Sequence, residues 1–406
     1  MNFIENGTVT SPVGFKGAGI CGSVKPSNTT KKDIALISSD VLCNAAAVFT
    51  KNLVKSSAII VTQRNLQNGK AQAVVVNSGN ANTCNADGEE KAERMCSLAA
   101  QYLGIDKNDV IAASTGVIGQ PLPIEPFEKS IPVLAENMSE NGGTDVAEAI
   151  MTTDTVKKEA AVQVEIDGKT VTIGAVAKGS GMIHINMGTM LSFVTTDAAV
   201  SAEMLKAALV EAVEKSYNMV SVDGDTSTND TLAIMANGLA GNNEIVCRDS
   251  NYKIFTQALT ELCKTMAKKL AADGEGATKL LVCSVNGAKT DIDAKGAAKS
   301  VICSSLVKAA MFGSDANWGR VLCAIGYSGC DIDVSKVDVS FISKAGKVDV
   351  CKNGAGIEFD EDIAKTVLSE NEITIDILLN DGKGSAEAYG CDLTYDYVKI
   401  NGDYRT

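Results

Sequence analysis

The sequence predicts an α+β fold, and two observations carry this prediction. Apolar, β-branched runs alternate with segments of helical periodicity through the first two thirds of the chain, and sheet-like runs dominate the last third. The 406 residues are 45% hydrophobic and 21% charged, as in ordinary globular proteins, and only 4% are aromatic. A large and mainly aliphatic core is therefore expected.

The elements follow from these patterns in chain order. Four β-branched, apolar segments are predicted as strands: 71–77, 110–117, 171–177 and 190–196. Apolar spacing of three and four residues predicts helices over 89–103, 201–217, 253–270, 293–311 and 361–370. Ser201 is expected to cap the second of these, and Leu205, Leu209, Ala212 and Val213 to form its buried stripe. After Arg320, the runs VLCAIGYS, VDVSFIS and ITIDILLND indicate further strands.

Charge and hydropathy exclude several classes of partner. The net charge of −13 disfavours nucleic acid and anionic membrane surfaces, because both attract basic patches. No apolar run reaches the ~20 residues of a membrane-spanning helix, and the first residues lack the pattern of a signal peptide. A small-molecule substrate and a cytosolic location are therefore expected.

Cysteine and histidine usage limits the chemistry. Twelve cysteines are spread from Cys21 to Cys391 without a C-x-x-C pair, which favours reduced, mostly buried thiols over disulfides or a metal site. His184 is the single histidine, so hydrolases with a histidine base would have to use it. We expect His184 to be a wall residue and acid–base chemistry to use other groups.

Two short motifs have a structural interpretation. GAGICG, residues 17–22, matches a dinucleotide-binding fingerprint, but Pro26 and its polar neighbours oppose the helix that must follow. DGDTSTND, residues 223–230, resembles a calcium loop, yet Thr228 stands where that loop needs glycine. We predict no dinucleotide site at the first motif and a polar turn at the second.

A different chemistry is indicated by KGSGMIHINMGTML, residues 178–191. Gly188 leaves the peptide bond before Thr189 unshielded, so the Thr189 hydroxyl could attack its own preceding carbonyl and release a new N-terminal threonine. The α-amine formed has an ordinary pKa of about 7.7 to 8.0 and could serve as the base for the adjacent hydroxyl. The alternative is that Thr189 is an ordinary β-branched strand residue.

Seven blocks of the sequence, in order, resemble the ornithine acetyltransferase family of arginine biosynthesis. They run almost from end to end: NSGNAN (77–82), STGVIG (114–119), MTTDT (151–155), KGSGMI and NMGTML with the following residues (178–198), DGEGATK (273–279), SDANWGR (314–320) and YGCDLTYDYVKINGDYRT (389–406). The resemblance implies a layered fold in which two sheets pack between helical layers. It also implies self-cleavage between Gly188 and Thr189 into an α chain (1–188) and a β chain (189–406). The family usually has alanine where this chain has Gly188.

The resemblance further implies the activity and its partners. Acetyl would pass from N-acetylornithine to glutamate through Thr189, and in some members also from acetyl-CoA to glutamate. No metal or other cofactor is implied, and two α and two β chains would form a heterotetramer.

The site residues of the family are carried over one by one. The nucleophile falls on Thr189 and the oxyanion hole on Thr115 and Gly116. Substrate contacts fall on Thr152, Lys178, Thr189, Glu275, Asn401 and Thr406. We expect Lys178 to bind an α-carboxylate and Glu275 to bind the side-chain ammonium of ornithine.

Two other functions remain open at this stage. An N-terminal-nucleophile aminopeptidase or amidase would form the same acyl-enzyme but pass the acyl group to water. An uncleaved amino-acid-binding protein would keep the scaffold without catalysis.

Overall fold

A computed structural model describes residues 1–184 and 190–403, which contain 17 strands and 11 helices. The strands are β1 (Asn2–Ile4), β2 (Phe15–Ile20), β3 (Ile34–Phe49), β4 (Lys70–Asn77), β5 (Val110–Ser114), β6 (Lys158–Ile166), β7 (Lys169–Lys178), β8 (Ile183–His184), β9 (Leu191–Thr196), β10 (Val220–Thr226), β11 (Thr231–Ala236), β12 (Leu280–Ala288), β13 (Asp338–Ser343), β14 (Gly346–Lys352), β15 (Ala355–Gly356), β16 (Glu372–Leu378) and β17 (Gly384–Cys391). The helices are α1 (Ser57–Asn65), α2 (Gly88–Leu103), α3 (Glu125–Glu136), α4 (Gly143–Ala149), α5 (Ala202–Glu214), α6 (Ser250–Ala272), α7 (Asp291–Cys303), α8 (Ser305–Phe312), α9 (Trp318–Gly326), α10 (Glu361–Leu368) and α11 (Tyr395–Asp403).

Two mixed sheets with packed helices confirm the predicted α+β class. In the described residues the first sheet has the order β1-β6-β7-β9-β11-β3-β4-β5, with β2 also paired to β3. The second has the order β15-β14-β13-β16-β12-β17-β10-β8. Helix α6 contacts strands of both sheets, including β6 and β17, so the largest hydrophobic cluster extends from one sheet to the other.

The alternation of side chains along β3 shows how helices cover both faces of the first sheet. Ile34 and Leu36 join one hydrophobic cluster with residues of α1, α2 and α3. Ala35 and Ile37, on the opposite face, join a second cluster with residues of α4. Both faces of this sheet are therefore buried from solvent, which explains why its strands are nearly continuous apolar runs.

Local patterns predicted several elements well. The four predicted strands correspond to β4, β5, β7 and β9, although the second ends at Ser114 rather than at residue 117. The Ser201 hydroxyl accepts a hydrogen bond from Met204 N and caps α5 as expected. The predicted stripe of α5 is buried: Leu205, Leu209, Ala212 and Val213.

Two predicted elements were wrong. The helix predicted over 293–311 is two helices, α7 and α8, because Ser304 takes an extended conformation and its hydroxyl caps α8 through Val307 N. VLCAIGYS, predicted as a strand, belongs to helix α9. In α9, Val321, Ala324 and Ile325 are buried at helical spacing, a signal that the apolar run obscured.

The GAGICG segment lies in β2 and the turn after it, and α1 begins only at Ser57, as the structural interpretation predicted. A Cβ at Gly19 would lie 2.2 Å from the Asp145 carbonyl oxygen, so this glycine lets α4 approach the strand.

No disulfide links the cysteines, all of which lie in the described residues. Six of the twelve are buried, fewer than expected. None of the helices in the described ranges is long and apolar enough to cross a membrane.

Candidate active site

A small pocket lies at the edge of the first sheet where β7 ends and β9 and β11 begin. Its volume is about 140 Å³, below the roughly 300–1,000 Å³ of pockets for drug-sized ligands. It therefore has the scale of an amino acid. All six predicted site residues within the described ranges line it: Thr115, Gly116, Thr152, Lys178, Glu275 and Asn401. The other three predicted positions, Gly188, Thr189 and Thr406, lie outside the described residues.

Strand register explains why distant residues meet here. Lys178, the last residue of β7, pairs with Leu191, the first residue of β9, and Leu191 pairs in turn with Thr231 of β11. Met190, the chain neighbour of Thr189, lines the pocket, and its carbonyl accepts a hydrogen bond from Thr231 N. The start of β9 thus borders the pocket directly.

Thr115 and Gly116 form a turn at the end of β5 that offers two hydrogen-bond donors to the pocket. Thr115 N is bonded to the Asn77 carbonyl. In the described part of the chain, neither the Thr115 hydroxyl nor Gly116 N donates a hydrogen bond. Gly116 has φ 129°, and a Cβ there would lie 2.8 Å from Asn80 N, so only glycine fits. Such a pair of free donors can stabilise a developing oxyanion.

Lys178 provides a buried positive charge beside this pair. Burial lowers the pKa of Lys178, and the nearby Asp154 carboxylate opposes that shift. The Lys178 ammonium donates no hydrogen bond to any residue that the structure describes, and Lys178 lines the pocket. A ligand carboxylate at this position could accept the hydrogen bonds that the Lys178 ammonium does not donate to the described residues.

Asp154 organises the surroundings of Lys178. Its carboxylate accepts hydrogen bonds from Lys158 Nζ at 2.7 Å, Gly179 N at 2.7 Å and Thr152 N at 2.9 Å. Burial disfavours the charged form, but the ammonium groups of Lys178 and Lys158 outweigh it and hold the pKa of Asp154 well below its usual range. Lys158, fully buried, also contacts Asp273 at 2.5 Å. The Asp154 carboxylate therefore pairs with Lys158, lowers the energy of the nearby Lys178 ammonium and holds the backbone at Thr152.

Glu275 contributes a carboxylate to the same pocket lining, opposite in charge to the Lys178 ammonium. Its backbone N donates to the Ser180 carbonyl, and its side chain accepts a hydrogen bond from Asn401 Nδ2 at 2.8 Å. A Cβ on Gly181 would lie 2.3 Å from Glu275 Oε2, so this glycine gives the carboxylate its space. No lysine, arginine or histidine in the described ranges forms an ion pair with Glu275, which leaves the carboxylate for a ligand ammonium.

The loop 227–230 is a wall of this pocket that the sequence analysis missed, since the polar turn predicted for 223–230 gave it no role. Its four residues, Ser227, Thr228, Asn229 and Asp230, all line the pocket. Asn229 Nδ2 donates to the carbonyls of Ser114 and Ala81, both at 2.6 Å, and so supports the turn that carries the two donors. Strand β11, with its apolar side chains, begins at Thr231 directly after this loop. The change from polar to apolar residues at that point was the signal in the sequence that could have indicated this wall.

Asp230 is the most unusual group of that loop. It is 2% exposed, and its Oδ2 has no hydrogen-bond partner within the described ranges. Burial raises the pKa of the Asp230 carboxyl well above its usual value, although hydrogen bonding to Ser227 and the charge of Lys178 oppose this. Asp230 is therefore a buried carboxyl group in the pocket lining, with one oxygen left without a hydrogen-bond partner among the described residues.

The expectation that His184 is a wall residue was wrong, because His184 does not line the pocket. It sits in β8, where its Nδ1 lies 3.1 Å from the Ser221 hydroxyl and 3.6 Å from the Cys303 sulfur. Burial and the neighbouring Lys299 lower its pKa. Within the described residues no group of three or more histidine, cysteine or carboxylate side chains is arranged to hold a metal ion. This histidine is therefore not among the groups that the pocket offers to a ligand.

The comparisons with known proteins agree on one protein family. The ArgJ family model matches residues 16–406. An arginine biosynthesis bifunctional protein ArgJ from Symbiobacterium thermophilum is 52% identical over 98% of this chain and 99% of its own length. The protein of the same name from Caldanaerobacter subterraneus is 51% identical over 99% of this chain and all of its own. A crystal structure of the Bacillus halodurans ArgJ protein matches with a TM-score of 0.51 and 44% identity, covering 53% of this chain and all of that one.

Proposed function

This chain belongs to the ArgJ family, and we propose that it transfers an acetyl group from N-acetylornithine to glutamate, and from acetyl-CoA to glutamate, through an acetyl ester on Thr189. The observation that carries the proposal is the convergence of six predicted residues in one amino-acid-sized pocket at the start of β9. These residues come from five separate stretches of the chain. Their convergence supports the roles that the family resemblance implies.

We propose that Thr189 becomes the first residue of a β chain by self-cleavage after Gly188. The Thr189 hydroxyl attacks the Gly188 carbonyl, the amide nitrogen leaves as the new α-amine, and water hydrolyses the resulting ester. The comparison with the Bacillus halodurans structure supports this division. That whole chain matches only 53% of the present one, and a β chain of residues 189–406 would hold 218 of 406 residues, a similar share.

In the first half-reaction the Thr189 oxygen attacks the acetyl carbonyl carbon and the α-amine takes the hydroxyl proton. The Thr115 hydroxyl and Gly116 N–H donate to the negative carbonyl oxygen, a contribution for which each donor is typically worth about 3 to 4 kcal/mol. The C–N bond then breaks and ornithine leaves with the proton. In the second half-reaction the amine of glutamate attacks the acetyl ester, N-acetylglutamate forms, and the Thr189 hydroxyl is restored.

The charges of the pocket match these substrates. Both substrates carry an α-carboxylate, which suits the buried ammonium of Lys178. N-Acetylornithine also carries a side-chain ammonium, which suits the Glu275 carboxylate held by Asn401. Thr152, whose backbone is fixed by Asp154, completes the polar wall.

Intact-mass spectrometry tests both the cleavage and the ester. Purified protein should give two chains with a junction at Gly188–Thr189, and Thr189→Ala should stay as one chain while Thr189→Ser is still cut. Mixing mature enzyme with N-acetylornithine and quenching in acid should add one acetyl group to the β chain. Glutamate should remove that group and yield N-acetylglutamate.

The same experiment separates the alternatives. Ornithine release at full rate without glutamate would indicate an amidase, because water would then accept the acetyl group. A chain that stays intact after long incubation and turns over neither substrate would indicate a binding protein. A ternary-complex transferase would show intersecting double-reciprocal plots and no acetylated chain, and would contradict the covalent role of Thr189.

We also propose a heterotetramer of two α and two β chains located in the cytoplasm, as the family resemblance implies. Light scattering of the mature protein would test the assembly. A mass equal to one α plus one β chain would contradict it.

A further inference from the structure

A second cleft lies beside the active-site pocket, between the end of β3 and helices α1 and α5. It is open and has a volume of about 560 Å³. Its lining contains three lysines and no acidic residue: Ala47, Val48, Phe49, Thr50, Lys51, Lys55, Gln63 and Lys206. We name it the lysine cleft.

The lysines of this cleft are not neutralised by the protein. Neither Lys51, Lys55 nor Lys206 forms an ion pair with any carboxylate in the described residues. Lys206 donates a hydrogen bond to the Ala47 carbonyl instead. The lining of the cleft thus brings three cations together without a carboxylate, in a chain with a net charge of −13. A local positive field therefore remains at this point of an acidic surface.

Other surface clefts show the contrast. In the cleft lined by Arg64 and Glu93, these two side chains pair at 2.7 Å. In the cleft lined by Lys344 and Glu370, the two side chains pair at 2.9 Å. In each of these clefts a carboxylate of the lining pairs with one of its cations. The lysine cleft differs because its lining contains no carboxylate.

The lysine cleft shares a wall with the active-site pocket. Thr50, which lines the cleft, donates from its backbone N to the Asp230 carbonyl at 3.1 Å and from its hydroxyl to the Ser227 carbonyl at 2.8 Å. Asp230 and Ser227 line the pocket on the other side. In register, Leu191 of β9 pairs with Thr231 of β11, and Thr231 pairs with Phe49 of β3. Two strand spacings, ~10 Å, thus separate the start of β9 from the end of β3.

The loop that carries two of the lysines also exposes apolar side chains. Leu53 is 97% exposed and Val54 is 47% exposed, and both stand between Lys51 and Lys55. Asn52 Nδ2 ties this loop to the Thr226 carbonyl at 3.0 Å, next to the pocket wall. An elongated ligand with an apolar arm and an anionic end would contact both kinds of side chain.

We propose that the lysine cleft binds the phosphate groups of acetyl-CoA while its thioester reaches Thr189. The inference rests on the proposed function, which requires this donor. A pocket of about 140 Å³ holds an amino acid but not a nucleotide, so the phosphorylated part of the donor has to lie outside it. In the reaction the Thr189 oxygen forms a bond to the acetyl carbon, the carbon–sulfur bond breaks, and the hydroxyl proton passes through the α-amine to the CoA thiolate.

The test compares two acetyl donors in one double variant. Lys51→Gln with Lys55→Gln should raise KM for acetyl-CoA roughly five- to tenfold, as expected for the loss of two exposed charge contacts. KM for N-acetylornithine should stay within about twofold, because that donor has no phosphate and fits in the pocket. The matched control is Lys129→Gln with Lys365→Gln, which removes the same charge from the exposed faces of α3 and α10. Raising the salt concentration should reduce the difference between the wild type and the cleft variant.

Calorimetry gives a readout that does not depend on turnover. Coenzyme A should bind the wild type more tightly than the cleft variant, whereas pantetheine, which lacks the nucleotide phosphates, should not distinguish them. Equal weakening in the control variant would assign the effect to net charge and overturn the inference. An unchanged KM for acetyl-CoA in the cleft variant, or a wild type that exchanges acetyl between ornithine and glutamate but neither binds nor uses coenzyme A, would also overturn it. Loss of the exchange reaction in the wild type would count against the proposed exchange activity, whereas exchange without any use of acetyl-CoA would leave that activity standing and count only against the acetyl-CoA part of the proposed function.

Discussion

Replacing Asp154 by Asn should change both the stability of the protein and the pH dependence of substrate binding. The Asp154 carboxylate and the Lys158 ammonium are fully buried and lie 2.7 Å apart. Breaking a buried ion pair from one side typically costs about 3 to 5 kcal/mol. Because Lys158 keeps its contact with Asp273 at 2.5 Å, we expect the lower end of that range, about 3 kcal/mol. Thr152 N also donates a hydrogen bond to the Asp154 carboxylate, and an amide nitrogen of Asn at this position cannot accept it.

The second effect acts through Lys178. In the proposed function a ligand carboxylate pairs with the Lys178 ammonium, so binding should be lost as the pH rises through the pKa of Lys178. Burial already lowers this pKa and the Asp154 charge opposes the shift. Without that charge the pKa falls further, so KM for N-acetylornithine should begin to rise at a lower pH than in the wild type. The assay is KM measured from pH 6 to 10 with intact-mass verification of cleavage.

Asp273→Asn is the matched control. It removes the other carboxylate from Lys158 and should destabilise the protein by a similar amount, but Asp273 is not among the groups that shift the pKa of Lys178. Its pH profile should match the wild type. If Asp154→Asn is destabilised and yet shows the pH profile of the wild type, the reasoning is refuted and Asp154 has a structural role alone.

Three further predictions concern the pocket. Gly116→Ala places a Cβ against the neighbouring backbone and displaces an oxyanion donor, so kcat should fall roughly 10²- to 10³-fold with little change in KM in steady-state assays. Glu275→Gln keeps the shape but removes the charge, so product inhibition by ornithine should weaken about tenfold while KM for glutamate changes little. Asn229→Ala removes one hydrogen bond from each of the Ser114 and Ala81 carbonyls, of which Ala81 keeps the Ser56 hydroxyl as a donor, so it should cost about 1 to 2 kcal/mol by thermal unfolding and lower kcat. An unaltered kcat would remove Asn229 from the support of the donor turn.

Elements whose signals are local were predictable from the sequence. The Ser201 cap and the stripe from Leu205 to Val213 depend on residues three or four positions apart, which any single-sequence pattern shows. The break at Ser304 was missed because the apolar spacing continues through it. The helix at 318–326 was missed because its apolar run satisfies strand and helix patterns equally.

By itself, the sequence determined the α+β class, the aliphatic core, the acidic surface and, through seven ordered motifs, six of the residues that line the pocket. Tertiary structure alone decided their arrangement. Lys158 and Asp273 are 115 residues apart in the chain and meet because helix α6 packs on strand β6. The register of β9, β11 and β3 turns a polar loop at 227–230 into a pocket wall and places the lysine cleft on its other side. Hydrogen-bonded strand pairing acts between residues remote in sequence, so no local pattern can report it.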